Sequence, residues 1–171
     1  MYKTSLNIGT MAGMVAFALF LLMYAIGLSP FGIGKFFGFW VPIAGVFLAT
    51  TKIRKDTLAG VMTFSQAFIS GIITVLVWST FKGFCIYIFI MSFENHVIDQ
   101  YLAFIRMYFE MAEKTGNADL IKQFDMNEII TAATPWNLMM GDISNNILFG
   151  GVVALISAFI LKKTPKQQGN L

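Results

Sequence analysis

Long apolar runs separated by short polar breaks dominate the hydrophobic pattern of the chain. The first run, residues 8–28, carries no charged side chain, and at ~1.5 Å per residue it is long enough to cross a ~30 Å hydrocarbon core. The tetrapeptide SPFG follows and predicts a turn, because proline and glycine interrupt a helix. The same pattern predicts three further spans at residues 34–51, 63–93 and 136–161.

A more polar segment, residues 94–134, lies between the third and fourth runs. Its first part, up to Thr115, places apolar side chains at helical spacing with charged residues between them, which predicts an amphipathic helix. One or two shorter helical pieces are expected before Pro135. The apolar face of this segment is expected to lie on the membrane surface or on the tops of the spans.

The amino-acid composition indicates that the chain folds in a membrane. Hydrophobic residues make up 57% of the 171 residues, whereas charged residues make up only 12%. An ordinary soluble domain carries about 25% charged residues. The predicted fold is therefore all-α: a single domain, residues 1–171, forming an integral membrane four-helix bundle with an additional outer amphipathic segment between the third and fourth spans.

The distribution of charge predicts the orientation, since short loops rich in Lys and Arg stay in the cytoplasm. With four spans, the two termini and the loop at 52–59 lie on one side of the membrane. That side collects seven of the twelve basic residues: Lys3, Lys52, Arg54, Lys55, Lys162, Lys163 and Lys166. The opposite side contains the segment 94–134, whose formal charge is −4. Both termini are therefore predicted to be cytoplasmic.

One cation, Lys82, lies inside the third apolar run. An ionised amine in hydrocarbon costs roughly 2.5–3.5 kcal/mol on insertion scales. If the third helix begins near Phe64, Lys82 lies about 27 Å from that end. Asp142, counted back from Leu161, lies about 28 Å from the same side of the membrane.

Several polar side chains share this outer layer: Lys35, Lys82, Asp142, Asn145 and Asn146. The favoured interpretation is that Lys82 and Lys35 extend their amines to the outer headgroups. The second is an ion pair between Lys82 and Asp142, which requires the early start of the third helix. The third is a substrate or ion site, and the layer supports it less because it has no second carboxylate and no histidine at that depth.

Polar residues also recur every fourth position along the third run: Gln66, Ser70, Thr74, Trp78 and Lys82. Residues at this spacing form one slowly winding stripe on a helix. Such a face favours neighbouring helices over lipid, because Gln, Ser and Thr form hydrogen bonds between helices. A packing seam is the favoured interpretation of the stripe, and a water-filled polar path is the alternative.

The residues that carry enzyme chemistry are scarce. His96 is the only histidine, and its neighbours Glu94 and Asp99 have no specific metal-ligand spacing. No metalloprotease, nucleophile-elbow or phosphate-loop motif occurs in the chain. The basic residues follow the topology and do not form a nucleic-acid patch. The sequence therefore predicts no catalytic residues, no metal, no cofactor and no nucleic-acid partner.

The chain resembles a domain-of-unknown-function family in three features. These are the basic loop, the stretch TFSQAF at residues 63–68, and a long aromatic third run that is followed by an acidic outer helix. Its members are small four-helix membrane proteins typical of Bacteroidetes bacteria. The resemblance implies four spans in a bacterial inner membrane, which would make the segment 94–134 periplasmic. The family has no established catalytic or binding residues, so the resemblance assigns none to this chain.

Three function classes remain open at this point. A non-enzymatic scaffold or accessory subunit is favoured, with the lipid bilayer as its surroundings and a protein partner or a homo-oligomer at its outer segment. A small oligomeric transporter or channel for ions or small solutes is the alternative. An enzyme is disfavoured because the residues it needs are absent from the sequence.

Overall fold

The computed structural model describes residues 1–32, 38–93, 96–115 and 125–163. Within these ranges the chain is all-α, as the sequence predicts, and its only β-type pairing is an isolated bridge between Met62 and Lys163. The helices are α1 (Tyr2–Ala25), α2 (Trp40–Asp56), α3 (Phe64–Phe93), α4 (His96–Lys114), α5 (Met126–Ala132) and α6 (Pro135–Leu161).

Three of these helices, α1, α3 and α6, are long and apolar enough to cross a membrane. They correspond to the predicted spans at 8–28, 63–93 and 136–161. The bounds of α3 and α6 agree with the prediction to within one residue, whereas α1 begins six residues earlier, at Tyr2. The early start arises because the polar residues of the first turns join the helix, and Ser5 among them is fully buried.

The second predicted span, 34–51, differs from the structure. Residues 33–37 lie outside the described residues, and α2 extends through the basic stretch that was expected to break it, ending only at Asp56. Lys and Arg are good helix formers, and cations in the last turn interact favourably with the helix dipole. With 17 residues and a charged last turn, α2 is not among the three span-length helices.

Helix α3 is the centre of the bundle and packs against α1, α2 and α6. The approach of α1 to α3 is close: a Cβ at Gly9 would lie 2.9 Å from the carbonyl oxygen of Thr74. Helix α2 also contacts α1 and α6, and its Val46 joins Val75 and Ala154 in the main core cluster. Although α2 is short, it therefore belongs to the same packed layer as the three long helices.

Large apolar side chains cover the outside of the long helices. Met11 on α1, Phe84 on α3 and Leu148 on α6 are 66%, 58% and 71% exposed. A continuous apolar surface of this kind is unfavourable in water and suits a hydrocarbon environment. The described residues are thus compatible with a bundle whose outer surface faces lipid.

The amphipathic helix α4 docks on the bundle mainly through its first half. Val97 is fully buried, the ring of Tyr101 lies 6.0 Å from that of Phe31, and Phe104 packs over Gly32. Met107, Tyr108 and Met111 in the second half remain 43%, 59% and 50% exposed. The helix therefore covers the chain that follows α1 and leaves an apolar strip beyond it.

Candidate functional site

The start of α3 sets the height of Lys82 in the bundle. The backbone N–H of Thr63 donates to Gln66 Oε1 at 2.9 Å, and the N–H of Gln66 donates to Thr63 Oγ1 at 3.3 Å. This reciprocal pair is a capping box, which satisfies two backbone donors that a helix start leaves free. Because α3 begins at Phe64, Lys82 lies about 27 Å along the helix.

Helix α6 is also capped at its start, and it carries Asp142. Thr134 accepts a hydrogen bond from the backbone N–H of Asn137 at 3.2 Å, and Pro135 occupies the first turn, where its missing N–H costs nothing. Asp142 lies 19 residues before Leu161, the last residue of α6, which is about 28 Å by helix rise. Counted from the end of the bundle that holds Phe64 and Leu161, a cation and an anion therefore lie at the same level on neighbouring helices.

Lys82 and Asp142 form an ion pair between α3 and α6. Lys82 Nζ lies 3.0 Å from Asp142 Oδ1 and 2.9 Å from Asp142 Oδ2, with the two side chains 12% and 3% exposed. Of the three interpretations open at the level of sequence, the structure has the ion pair. Removing two charges from water is costly, and close contact with both carboxylate oxygens offsets that cost.

Asn146 completes the cluster one helical turn further along α6. Its Nδ2 donates to Asp142 Oδ2 at 2.7 Å, so the carboxylate accepts from both a cation and an amide. Asn145 does not join the cluster; it is exposed, because adjacent residues point about 100° apart around a helix. Lys35 lies outside the described residues.

The polar stripe of α3 is used in packing between and within helices. Ser5 Oγ lies 3.2 Å from both the hydroxyl and the carbonyl oxygen of Ser70, which joins α1 to α3. Thr74 Oγ1 donates to the carbonyl oxygen of Ser70 at 2.9 Å. Gln66 serves the helix cap, and Lys82 serves the ion pair. The seam interpretation therefore describes these contacts better than a water-filled path does.

Trp78 is the exception in the stripe. It is 3% exposed, and its Nε1–H has no acceptor among the described residues. A cavity of about 30 Å³ lies beside it, lined also by Lys82 and Asn146 and by Pro30 and Phe39 near the α1–α2 connection. A space of this size has room for roughly two water molecules. The ion pair thus adjoins a small, mostly apolar cavity, which receives polar groups from Trp78, Lys82 and Asn146, at the end of the bundle that lies opposite the basic turn of α2.

Two contacts at the basic end were not foreseen from the sequence. Arg54 Nη1 donates to the carbonyl oxygen of Leu161 at 3.2 Å, which satisfies an acceptor that the end of α6 leaves free. Met62 and Lys163 exchange backbone hydrogen bonds of 3.0 and 2.8 Å. The run of basic residues indicated topology but gave no sign that one of them would cap a neighbouring helix.

The described residues offer little for metal or acid–base chemistry beyond the ion pair. No group of three His, Cys, Asp or Glu side chains in residues 1–32, 38–93, 96–115 and 125–163 could hold a metal ion. The imidazole of His96 is 84% exposed, and its Nδ1 lies 4.0 Å from Asp99. The arrangement at Lys82 and Asp142 can hold the two helices together, and Lys82 and Trp78 can donate to water in the cavity.

Comparison with known proteins identifies a family for the chain but gives no function. No curated protein and no solved structure shows significant similarity to the chain. One family matches, over residues 7–163, and it is described as a protein family of unknown function, DUF4199. Since the match covers nearly the whole chain, the protein belongs to the DUF4199 family.

Proposed function

We propose that this protein is an integral inner-membrane scaffold or accessory subunit without enzymatic activity. The observation that carries the proposal is that the polar side chains buried within its apolar helices are mainly satisfied inside the bundle, by one another or by backbone carbonyls. Lys82 pairs with Asp142, Asn146 donates to the same carboxylate, and Ser5 bonds Ser70. Such contacts fix the positions of helices and leave few groups to bind or move a substrate.

The partner surface of the scaffold is the outer helix α4. Its first half is anchored on the bundle, while Met107, Tyr108 and Met111 form an exposed apolar strip. Exposed apolar strips rimmed by charge mark protein or membrane interaction sites. The strip is rimmed here by exposed Arg106 and Glu110. A protein partner, a second copy of the chain or the bilayer surface would occupy it.

The full placement in the membrane is part of the same proposal. Helix α2 acts as the fourth span, since it packs among the three long helices even though it is short. Both termini and the loop after α2 lie in the cytoplasm, and the segment 94–134 lies in the periplasm of a bacterial cell. The positive charges near Lys52 and Lys162 support this orientation.

Cysteine labelling tests the orientation. The chain has a single cysteine, Cys85 on α3. In a Cys85→Ser background, Glu113→Cys is expected to react with a membrane-impermeant thiol reagent added to intact cells, whereas Lys55→Cys is expected to react only after the membrane is opened. Both positions are exposed, so accessibility in the fold does not bias the comparison. External labelling of Lys55→Cys would reverse the proposed orientation.

A small oligomeric transporter or channel for ions or small solutes is the second candidate. The cavity beside the ion pair favours it, because Trp78 offers an unpaired indole N–H there and Lys82 lines the same space. Ionisable residues inside a membrane frequently mark transport pathways. In this interpretation Lys82 and Asp142 would exchange partners during transport.

Liposome flux separates the two candidates. The purified chain, reconstituted into liposomes, is expected to move neither small ions nor organic cations faster than protein-free liposomes. The matched control is the double variant Lys82→Met/Asp142→Asn, which removes both charges together. A flux carried by the wild type and lost in that variant would overturn the scaffold proposal and establish transport.

A further inference from the structure

An apolar groove of about 560 Å³ runs along the outside of the bundle between α1 and α2. Its floor is made of small residues, among them Ala12, Ala44 and Gly45. Its walls include Val15 and Leu48, which are 53% and 63% exposed. The ion pair lies elsewhere in the bundle, so neither proposed function uses this groove.

The two ends of the groove differ in chemistry. Trp40, at one end, is 75% exposed, and Lys52, at the other end, is also exposed. Between them the lining on α2 is apolar. An apolar groove that ends at a cation is complementary to an amphiphile with an apolar tail and an anionic head.

The length of the groove distinguishes between a lipid and a partner helix. Trp40 and Lys52 are twelve residues apart on one helix, which is about 18 Å. The hydrocarbon core is ~30 Å thick, so one leaflet accounts for roughly 15 Å. A transmembrane partner helix requires the full thickness, whereas an acyl chain occupies a single leaflet. The groove therefore matches the reach of one lipid.

Charge at the Lys52 end favours an anionic headgroup. Arg54 is engaged with the carbonyl oxygen of Leu161, which leaves Lys52 and Lys55 as the exposed cations of α2. Basic pockets between membrane helices bind anionic lipid headgroups. We propose that the groove binds one anionic phospholipid, with an acyl chain between α1 and α2 and its phosphate at Lys52. The proposal requires only that the bundle lies in a membrane.

Native mass spectrometry of the delipidated full-length protein, titrated with phosphatidylglycerol or with phosphatidylcholine of the same acyl chains, tests the site. We expect one phosphatidylglycerol to bind in preference to phosphatidylcholine. Lys52→Gln is expected to weaken phosphatidylglycerol binding about fivefold, since one lysine contributes about 1 kcal/mol to an anionic lipid contact. Lys55→Gln removes the same charge three residues away, outside the groove lining, and is expected to weaken binding less than Lys52→Gln does.

A second variant tests the apolar part of the site. Ala44 is exposed and lines the groove, so Ala44→Phe fills it without entering the core. Ala44→Phe is expected to abolish binding of the one phosphatidylglycerol. Its circular dichroism spectrum and its thermal stability are expected to equal those of the wild type. Equal binding of the two lipids, an equal loss in Lys55→Gln, or a dimer that Ala44→Phe dissociates would overturn the proposal. These outcomes are independent of liposome flux.

Discussion

Lys82→Met and Asp142→Asn are each expected to lower the free energy of unfolding by about 3–5 kcal/mol, and the double variant is expected to cost less than either single change. The reason is that each single variant leaves the other charge buried without its partner. Lys82 and Asp142 are only 12% and 3% exposed, so water cannot replace the lost contact at low cost. Reversible unfolding in mixed detergent micelles measures the stability of the wild type, the two single variants and the double variant, which together form a double-mutant cycle.

Lys55→Met is the control for removing a positive charge. Lys55 is exposed on α2, and its replacement is expected to change stability by no more than about 0.5 kcal/mol. If the effects of the two single variants at 82 and 142 simply add, the charges do not interact, and Lys82 extends to the headgroups on its own. The close contact of Lys82 with Asp142 predicts a strong coupling energy between the two substitutions.

The second large effect is expected at Gly150, where α6 meets α3. A Cβ placed there would lie 2.5 Å from Val75 Cγ1, closer than side chains approach each other. Gly150→Leu is therefore expected to separate the two helices and to destabilise the bundle by about 1–3 kcal/mol. Thermal unfolding in the same detergent measures the loss.

Gly141→Leu is the matched control on the same helix. A Cβ at Gly141 would meet nothing within 4 Å, and leucine has a better helix propensity than glycine by up to ~1 kcal/mol. This variant is expected to be neutral or slightly stabilising. Equal destabilisation by both variants would contradict this prediction, because it would show that the loss at Gly150 does not arise from the close contact with Val75.

Features with a strong period or a strong charge could be predicted from the sequence. The apolar runs predict α1, α3 and α6, because a helix that crosses lipid needs a long apolar stretch. The amphipathic pattern predicts α4, because a helix that docks on a surface has apolar residues at helical spacing on one face. The equal depth of Lys82 and Asp142 followed from counting helix rise from Phe64 and back from Leu161. Depth could therefore be computed before any contact was known.

Rotation about the helix axis could not be computed in the same way. Equal depth allows Lys82 to face Asp142 or to face lipid, and only packing decides between them. The close approach of α3 and α6 at Gly150 turns the two charged faces toward each other. The same packing places Asn146 in the cluster and Asn145 outside it, although the two are neighbours in the sequence.

Helix α2 continues beyond residue 51, where the second span was predicted to end. Charged residues were taken as a break in the pattern, yet the helix continues through them to Asp56. A polar stretch ends an apolar span without ending the helix, because Lys and Arg are good helix formers and can reach the headgroup region. The capping box of Thr63 and Gln66 was readable in TFSQ, but the stripe interpretation assigned Gln66 to packing.

The central claim is that the charges within the apolar helices are paired with each other. Solid-state NMR of the protein in liposomes measures this directly through the dipolar coupling between Lys82 Nζ and Asp142 Cγ. A cross-peak between these two nuclei, absent in the Asp142→Asn variant, is the predicted result, since Nζ lies 2.9 and 3.0 Å from the two carboxylate oxygens. A wild-type spectrum without that cross-peak, with the Lys82 amine in contact with water or headgroups, would contradict the account.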